Sequence, residues 1–130
     1  MNVLKSIISR ATRIKGTVVL PEGMDSRVIE AACLVAERKV CKVIVLGTPA
    51  EIAAAEQKAG KSLAADKIEV VDYTKSDLLP RLAKGLYERR KEKGMTEEQA
   101  LQTVSSKRLY FGGMMVHEGL ADGLVAGSIA

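Results

Sequence analysis

The stretch LYERRKEKG, residues 86–94, gathers cations at the end of a helical pattern. The apolar stripe of that helix is Leu79, Leu82, Ala83 and Leu86. At about 100° per residue, Arg90 projects about 30° from the centre of the stripe and Arg89 about 70°. The spacing predicts that Arg90 points inward or along the protein body. A guanidinium held there needs an anionic partner, either a carboxylate of the chain or a ligand. Arg89, Lys91 and Lys93 read as cations complementing the negative end of the helix dipole. A second candidate lies in ADGLVAGSIA, residues 121–130, which reads as a buried strand opening into a small-residue loop. There Gly127 and Ser128 offer backbone amides and a hydroxyl, groups that suit a phosphate. The same residues also fit an ordinary strand exit. No GxGxxG and no GxxxxGK[ST] occurs, so neither a dinucleotide fingerprint nor a P-loop is present.

Other polar residues read as structural. Asp25 and Arg27 in PEGMDSR fit a helix cap and its salt-bridge partner, or a polar pair facing a cleft at the sheet edge; the first reading is favoured. His117 has no Ser, Cys or Asp at a telling spacing and reads as a satisfied core histidine. Cys33 and Cys41 are the only cysteines and form no CxxC or His/Cys cluster, so they read as buried reduced thiols and no metal site is expected.

Composition narrows the function classes. The 130 residues are 47% hydrophobic, enough for one domain with a core, but only 3% aromatic. The core is therefore aliphatic. The net charge of +4 is mild. It suits an anionic small molecule and falls short of a nucleic-acid binder, which would also want aromatics to stack bases. No apolar run approaches the ~18 residues of a membrane span, and charged residues interrupt the first apolar positions, so a cytoplasmic protein is expected.

The elements that must position these residues alternate. A helix over residues 2–14 is followed by the strand TVVLPEG and a helix to about Arg38. The strand CKVIVLG precedes a helix opened by Thr48, Pro49 and Glu51 as a capping box. The strand KIEVVD leads to a helix capped by Ser76 or Asp77 and running to Lys93, with Gly94 in the left-handed turn. Thr96 and Gln99 open a helix to about Val104. Residues 107–118 form a helix apolar on nearly every side, hence buried, with Leu109, Gly112, Gly113 and Val116 on one close-packing face. DGLVAG is the last strand. Short, continuously apolar strands alternating with helices predict an α/β fold: a parallel sheet flanked by helices on both faces. Ligands of such sheets bind beyond the carboxyl ends of the strands.

VVLPEGMDSRVIEAA, YERRKEKGMTEEQA and LYFGGMMVHEGLADGLVAG, with the first helix, resemble the phosphate acetyltransferases in order over essentially the whole chain. The resemblance implies the amino-terminal part of the first α/β domain (residues 1–130) of a larger two-domain enzyme with its active site in the cleft between domains. It implies reversible acetyl transfer between coenzyme A and phosphate, a cytoplasmic homodimer, no bound cofactor, and coenzyme A, acetyl phosphate and phosphate as partners, with no nucleic acid or membrane. Arg90 stands where the family places a substrate-binding arginine, and Gly127 and Ser128 stand in the glycine-rich exit near the phosphate and acyl site. The family's catalytic serine, arginine and aspartate match no residue of this segment, which is expected to be inactive alone. Arg89 replaces a usually apolar residue, Glu92 a frequent histidine and Ala126 a frequent serine. The alternatives are a phosphate butyryltransferase and a non-catalytic ligand-binding or regulatory domain of the same fold.

Overall fold

The computed structural model describes residues 3–39, 41–63 and 67–126. Its elements are α1 (Val3–Ala11), β1 (Thr17–Leu20), α2 (Ser26–Glu37), β2 (Lys42–Leu46), α3 (Pro49–Ala59), β3 (Ile68–Val71), α4 (Leu79–Arg90), a 3-10 turn (Lys91–Lys93), α5 (Glu97–Ser106), α6 (Arg108–His117) and β4 (Gly123–Leu124). The strands form one four-stranded sheet in the order β3-β2-β1-β4, and every pairing is parallel.

Successive strand residues face opposite sides of a sheet. Here Val18, Leu20, Val43 and Val45 pack with α1, α2 and α3. Val19, Ile44 and Leu46 face the other way and pack with α4, α5 and α6. Both faces are thus covered, which is why the strands are continuously apolar. The α/β architecture expected from the sequence is the one observed.

Local chemistry sets the helix starts. The Asp25 side chain accepts from the Arg27 N–H and caps α2. Thr48 and Glu51 form a reciprocal capping box at α3, and Thr96 and Gln99 form one at α5. Each satisfies amides that the first helical turn leaves without partners. Helix α4 differs from expectation. It starts at Leu79, and Ser76 instead accepts from the Leu78 N–H in the preceding turn. Its last residues tighten into the 3-10 turn before Gly94, which takes φ +90°. Helix α6 is less buried than its composition suggests: Phe111, Gly112, Met114 and Met115 are buried, but Leu109 is 53% exposed and Gly113 is exposed.

The last strand is short and is secured beyond its ladder. The Asp122 N–H donates to the Thr17 carbonyl at 2.8 Å, and the Thr17 N–H donates to Asp122 Oδ2 at 2.7 Å. Gly16 at φ +114° brings the chain into this clamp, where an added Cβ would collide with the Asp122 carboxylate. Gly112 brings α6 equally close, since a Cβ there would lie 2.7 Å from Leu124 Cδ1. Past the strand, Arg10 Nη1 donates to the Ala126 carbonyl at 2.6 Å.

Gly16→Ala should therefore destabilise the fold by roughly 1–3 kcal/mol in a urea titration, through strained φ and the collision together. Combined with Asp122→Ala, the loss should fall short of the sum of the single losses, because the collision is then gone while the strain stays.

Candidate functional site at the carboxyl edge of the sheet

The strand order makes a switch point between β1 and β4. From β1 the chain moves outward to β2 and β3, then crosses back to place β4 on the other side of β1. Loops that part in this way open a crevice beyond the strand ends. On the β1 side lies PEGMDSR. Glu22 is buried there, at 4% exposure. The Gly23 N–H donates to the Leu46 carbonyl at 3.0 Å, and a Cβ at Gly23 would collide with that oxygen. Asp25 caps α2 and pairs with Arg27 at 2.8 Å. That hydrogen bond and the neighbouring charges of Asp25 and Glu22 push the Arg27 guanidinium up. The favoured structural reading of Asp25 and Arg27 agrees with these contacts. Gly127 and Ser128, the candidates on the β4 side, lie outside the described residues.

Arg90 reaches the same edge by an unexpected path. Leu78, just before α4, lines a recess with Thr17, Lys42 and Ile68, which are the first residues of β1, β2 and β3. Helix α4 therefore starts at the amino ends of the strands and runs toward their carboxyl ends. At its far end Arg90 lines an open recess of ≈ 540 Å³ with Lys93, Met95, Gln99, Thr103 and Lys107. No carboxylate lines it. Arg90 is exposed, so of the two aims read from the helical wheel the inward one is corrected and the one along the protein body is left. At Arg90 the backbone leaves α-helical geometry, with φ −117°, as α4 gives way to the 3-10 turn, so the wheel does not fix the direction of that side chain.

A polar network fixes the floor of this edge. Arg108 Nη2 donates to Glu51 Oε2 at 2.7 Å and to the Tyr73 hydroxyl at 3.1 Å. Glu51 Oε1 meanwhile accepts from the Thr48 N–H at 3.0 Å. One carboxylate thus caps α3 and anchors the start of α6. Tyr73 stands edge-on to Phe111, with ring centroids 6.4 Å apart. The network joins the loops after β2 and β3 to α6, next to Lys107. Sequence reading saw Glu51 only as a cap and missed Arg108. The one signal was a cation opening an otherwise apolar helix.

Two further expectations are corrected. His117 is exposed, not a core residue, and its partner is Arg89: Arg89 Nη1 donates to His117 Nδ1 at 2.9 Å. Arg89 is therefore more than a charge near the helix dipole. Cys33 and Cys41 are free and half-buried, and burial pushes both thiols up. Neither has the lowered pKa of a nucleophilic thiolate. Among the described residues no group of His, Cys, Asp and Glu could hold a metal ion, and no helix is long and apolar enough to cross a membrane.

Residues 2–130 match the family model described as "Phosphate acetyl/butaryl transferase". The chain belongs to this family. It is 40% identical over 129 residues to a phosphate acetyltransferase of Thermoanaerobacterium thermosaccharolyticum, covering 99% of this chain and 38% of the relative. A phosphate acetyltransferase of Bacillus subtilis is 39% identical over 111 residues, covering 85% of this chain and 33% of the relative. The EutD phosphotransacetylase from Staphylococcus aureus superposes with TM-score 0.77 at 34% identity, over 98% of this chain and 38% of that structure. A phosphotransacetylase from Streptococcus pyogenes gives TM-score 0.78 at 29% identity, over 100% and 39%. The chain thus spans about 38% of the length of such relatives.

In this acetyl/butyryl transferase segment the Arg108–Glu51 pair is largely shielded, with side chains 25% and 27% exposed. Arg108→Ala should cost roughly 1–3 kcal/mol in denaturant unfolding, because it leaves a half-buried carboxylate without its cation. Glu51→Gln should cost less than Glu51→Ala, since the amide oxygen still accepts from the Thr48 N–H.

Proposed function

We propose that residues 1–130 form the amino-terminal part of the first of two α/β domains in a phosphate acetyltransferase. The reaction is acetyl-CoA + phosphate = CoA + acetyl phosphate. In the direction of acetyl-CoA synthesis the coenzyme A thiol loses its proton and attacks the acetyl carbonyl, the carbon–sulfur bond forms, and phosphate leaves with the carbon–oxygen bond pair. The observation that carries the proposal is the recess where Arg90, Lys93 and Lys107 converge with no carboxylate among its lining residues. Both substrates are phosphate-bearing anions, and guanidinium and ammonium groups at the carboxyl edge of the sheet match that charge. The names of the matched relatives support acetyl over butyryl transfer.

In this reading the segment binds and orients the anionic substrate. Arg90 supplies the planar fork, Lys93 and Lys107 supply point charges, and Gly127 and Ser128 bring amides and a hydroxyl toward the phosphate and acyl groups. The base for the thiol and the donors to the developing oxyanion come from outside residues 1–130. No cofactor is required beyond coenzyme A as substrate. The whole enzyme works as a cytoplasmic homodimer, with neither nucleic acid nor membrane as partner.

Incubated alone with acetyl phosphate and coenzyme A, the 130-residue chain should form thioester no faster than the uncatalysed background, read as absorbance of the thioester bond. Catalysis by a preparation free of host enzyme would overturn the assignment of the missing groups to other parts of the protein. In a full-length acetyltransferase carrying these residues, Arg90→Ala should lower kcat/KM by roughly ten- to a hundredfold, and Arg90→Lys should recover part of it. Lys84→Ala, on the exposed side of α4, should change it by less than about threefold. A silent Arg90→Ala would remove the recess from the substrate path.

A further inference from the structure

Helices α4 and α6 cross at Gly85, where an added Cβ would lie 2.9 Å from Met114 Cε and 2.7 Å from Glu118 Oε2. On one side of the crossing Arg81 closes the gap. Its Nη2 donates to the Glu118 carbonyl at 3.0 Å, and its Nε lies 3.4 Å from Glu118 Oε1. On the other side the helices part and leave a second recess of ≈ 310 Å³. Its apolar lining is Leu86, Met114 and Leu109. Leu109, at 53%, is the most exposed of the large apolar side chains described. Gly113 opens the recess further, since a Cβ there would meet nothing within 4 Å.

The polar groups at this recess are Arg89, Arg90, Tyr110 and His117. A guanidinium has only donors, so in the 2.9 Å contact with Arg89 the His117 Nδ1 is the acceptor. The contact orients Arg89 without neutralising it. Among the described residues neither Arg89 nor Arg90 forms an ion pair with a carboxylate. Two adjacent guanidiniums therefore stand over an apolar, open recess with their charge uncompensated. A planar fork matches a carboxylate. The recess volume lies at the small end of ligand sites.

We propose that this recess binds a small organic carboxylate with a short unbranched apolar body. The carboxylate lies on Arg89, steadied by His117, and the body lies on Leu86, Leu109 and Met114. The site is separate from the recess of Arg90, Lys93 and Lys107, although Arg90 stands between the two. It does not depend on the acetyltransferase reading.

The 130-residue chain is titrated with sodium pentanoate at constant ionic strength and followed by NMR. Saturable shifts are expected at Leu109, Gly113 and the His117 ring. Pentanamide, which keeps the body and loses the charge, should bind at least about fivefold more weakly, as should pentanoate to Arg89→Gln. Leu109→Ser should weaken pentanoate by roughly threefold or more through lost apolar contact. Both residues are exposed, so the variants should keep the native amide dispersion; the comparison of pentanoate with pentanamide on the unaltered chain decides the matter if either does not. Equal binding of the two ligands, shifts that never saturate, or an undiminished response from folded Arg89→Gln would overturn the proposal. Inorganic phosphate is titrated in parallel. Shifts at Lys93 and Lys107 report the other recess, so loss of one response without the other tells which reading has failed.

Discussion

Two ladder pairs, Val18 with Gly123 and Val19 with Leu124, seat β4 beside β1. Everything from β3 to β4, including α4, α5 and α6, depends on that seat, because the intervening chain crosses from one edge of the sheet to the other. So brief a ladder is a weak anchor. The Asp122 clamp supplements it from one end with paired hydrogen bonds to Thr17, and Gly16, at φ +114° and without a Cβ, leaves room for the carboxylate. Gly112 contributes from the helix layer by letting α6 lie against Leu124 and Val19. Glycine and aspartate do here what a longer strand would do by hydrogen bonding alone.

The carboxyl edge depends on a second economy. Glu51 divides its oxygens between the α3 cap and Arg108, so one side chain ties a loop to a helix that begins 57 residues later. This places Lys107 near Arg90, although Arg90 ends α4 and Lys107 lies between α5 and α6. A basic recess at a strand edge is more than a chance gathering of surface lysines when the residue beside it is held by a half-buried ion pair. Family membership gives that recess its context, and the geometry explains how the cations come to share it.

Much of the fold was legible in the sequence because its signals are local. Thr48 with Glu51 and Thr96 with Gln99 mark helix starts by hydrogen bonds spanning three residues, and both boxes form. Continuous apolar runs identified the strands for the same reason. The readings that failed depend on distant chain. The helical wheel of α4 assumes α-helical geometry at Arg90, but the backbone there has φ −117° and passes into the 3-10 turn, and Arg90 is exposed. Helix α6 looked buried all round because nothing in RLYFGGMMVH tells which side lacks a neighbour; only the packing shows that Leu109, Gly113 and His117 lie there. Arg108 showed only as a cation opening an apolar helix, because its partners Glu51 and Tyr73 lie 57 and 35 residues away in the chain. The crossing of the 72–78 segment back to the amino ends of the strands, which turns α4 round, has no sequence signature at all.

The separation of Thr17 from Asp122, 105 residues along the chain, also governs how the molecule comes together. Strands β1, β2 and β3 and helices α1 to α3 all precede Leu79 in the chain, so the contacts among them close shorter loops than those of β4 with β1. Until β4 arrives, β1 is an edge strand with half its ladder groups unsatisfied, although in the finished protein it is central. Closing so long a loop is slow, and an unpaired apolar edge is adhesive while it lasts. The bonds between Asp122 and Thr17 and from Arg10 to the Ala126 carbonyl join segments 105 and 116 residues apart. They hold β4 from both of its ends, which keeps β1 covered once the short ladder has formed.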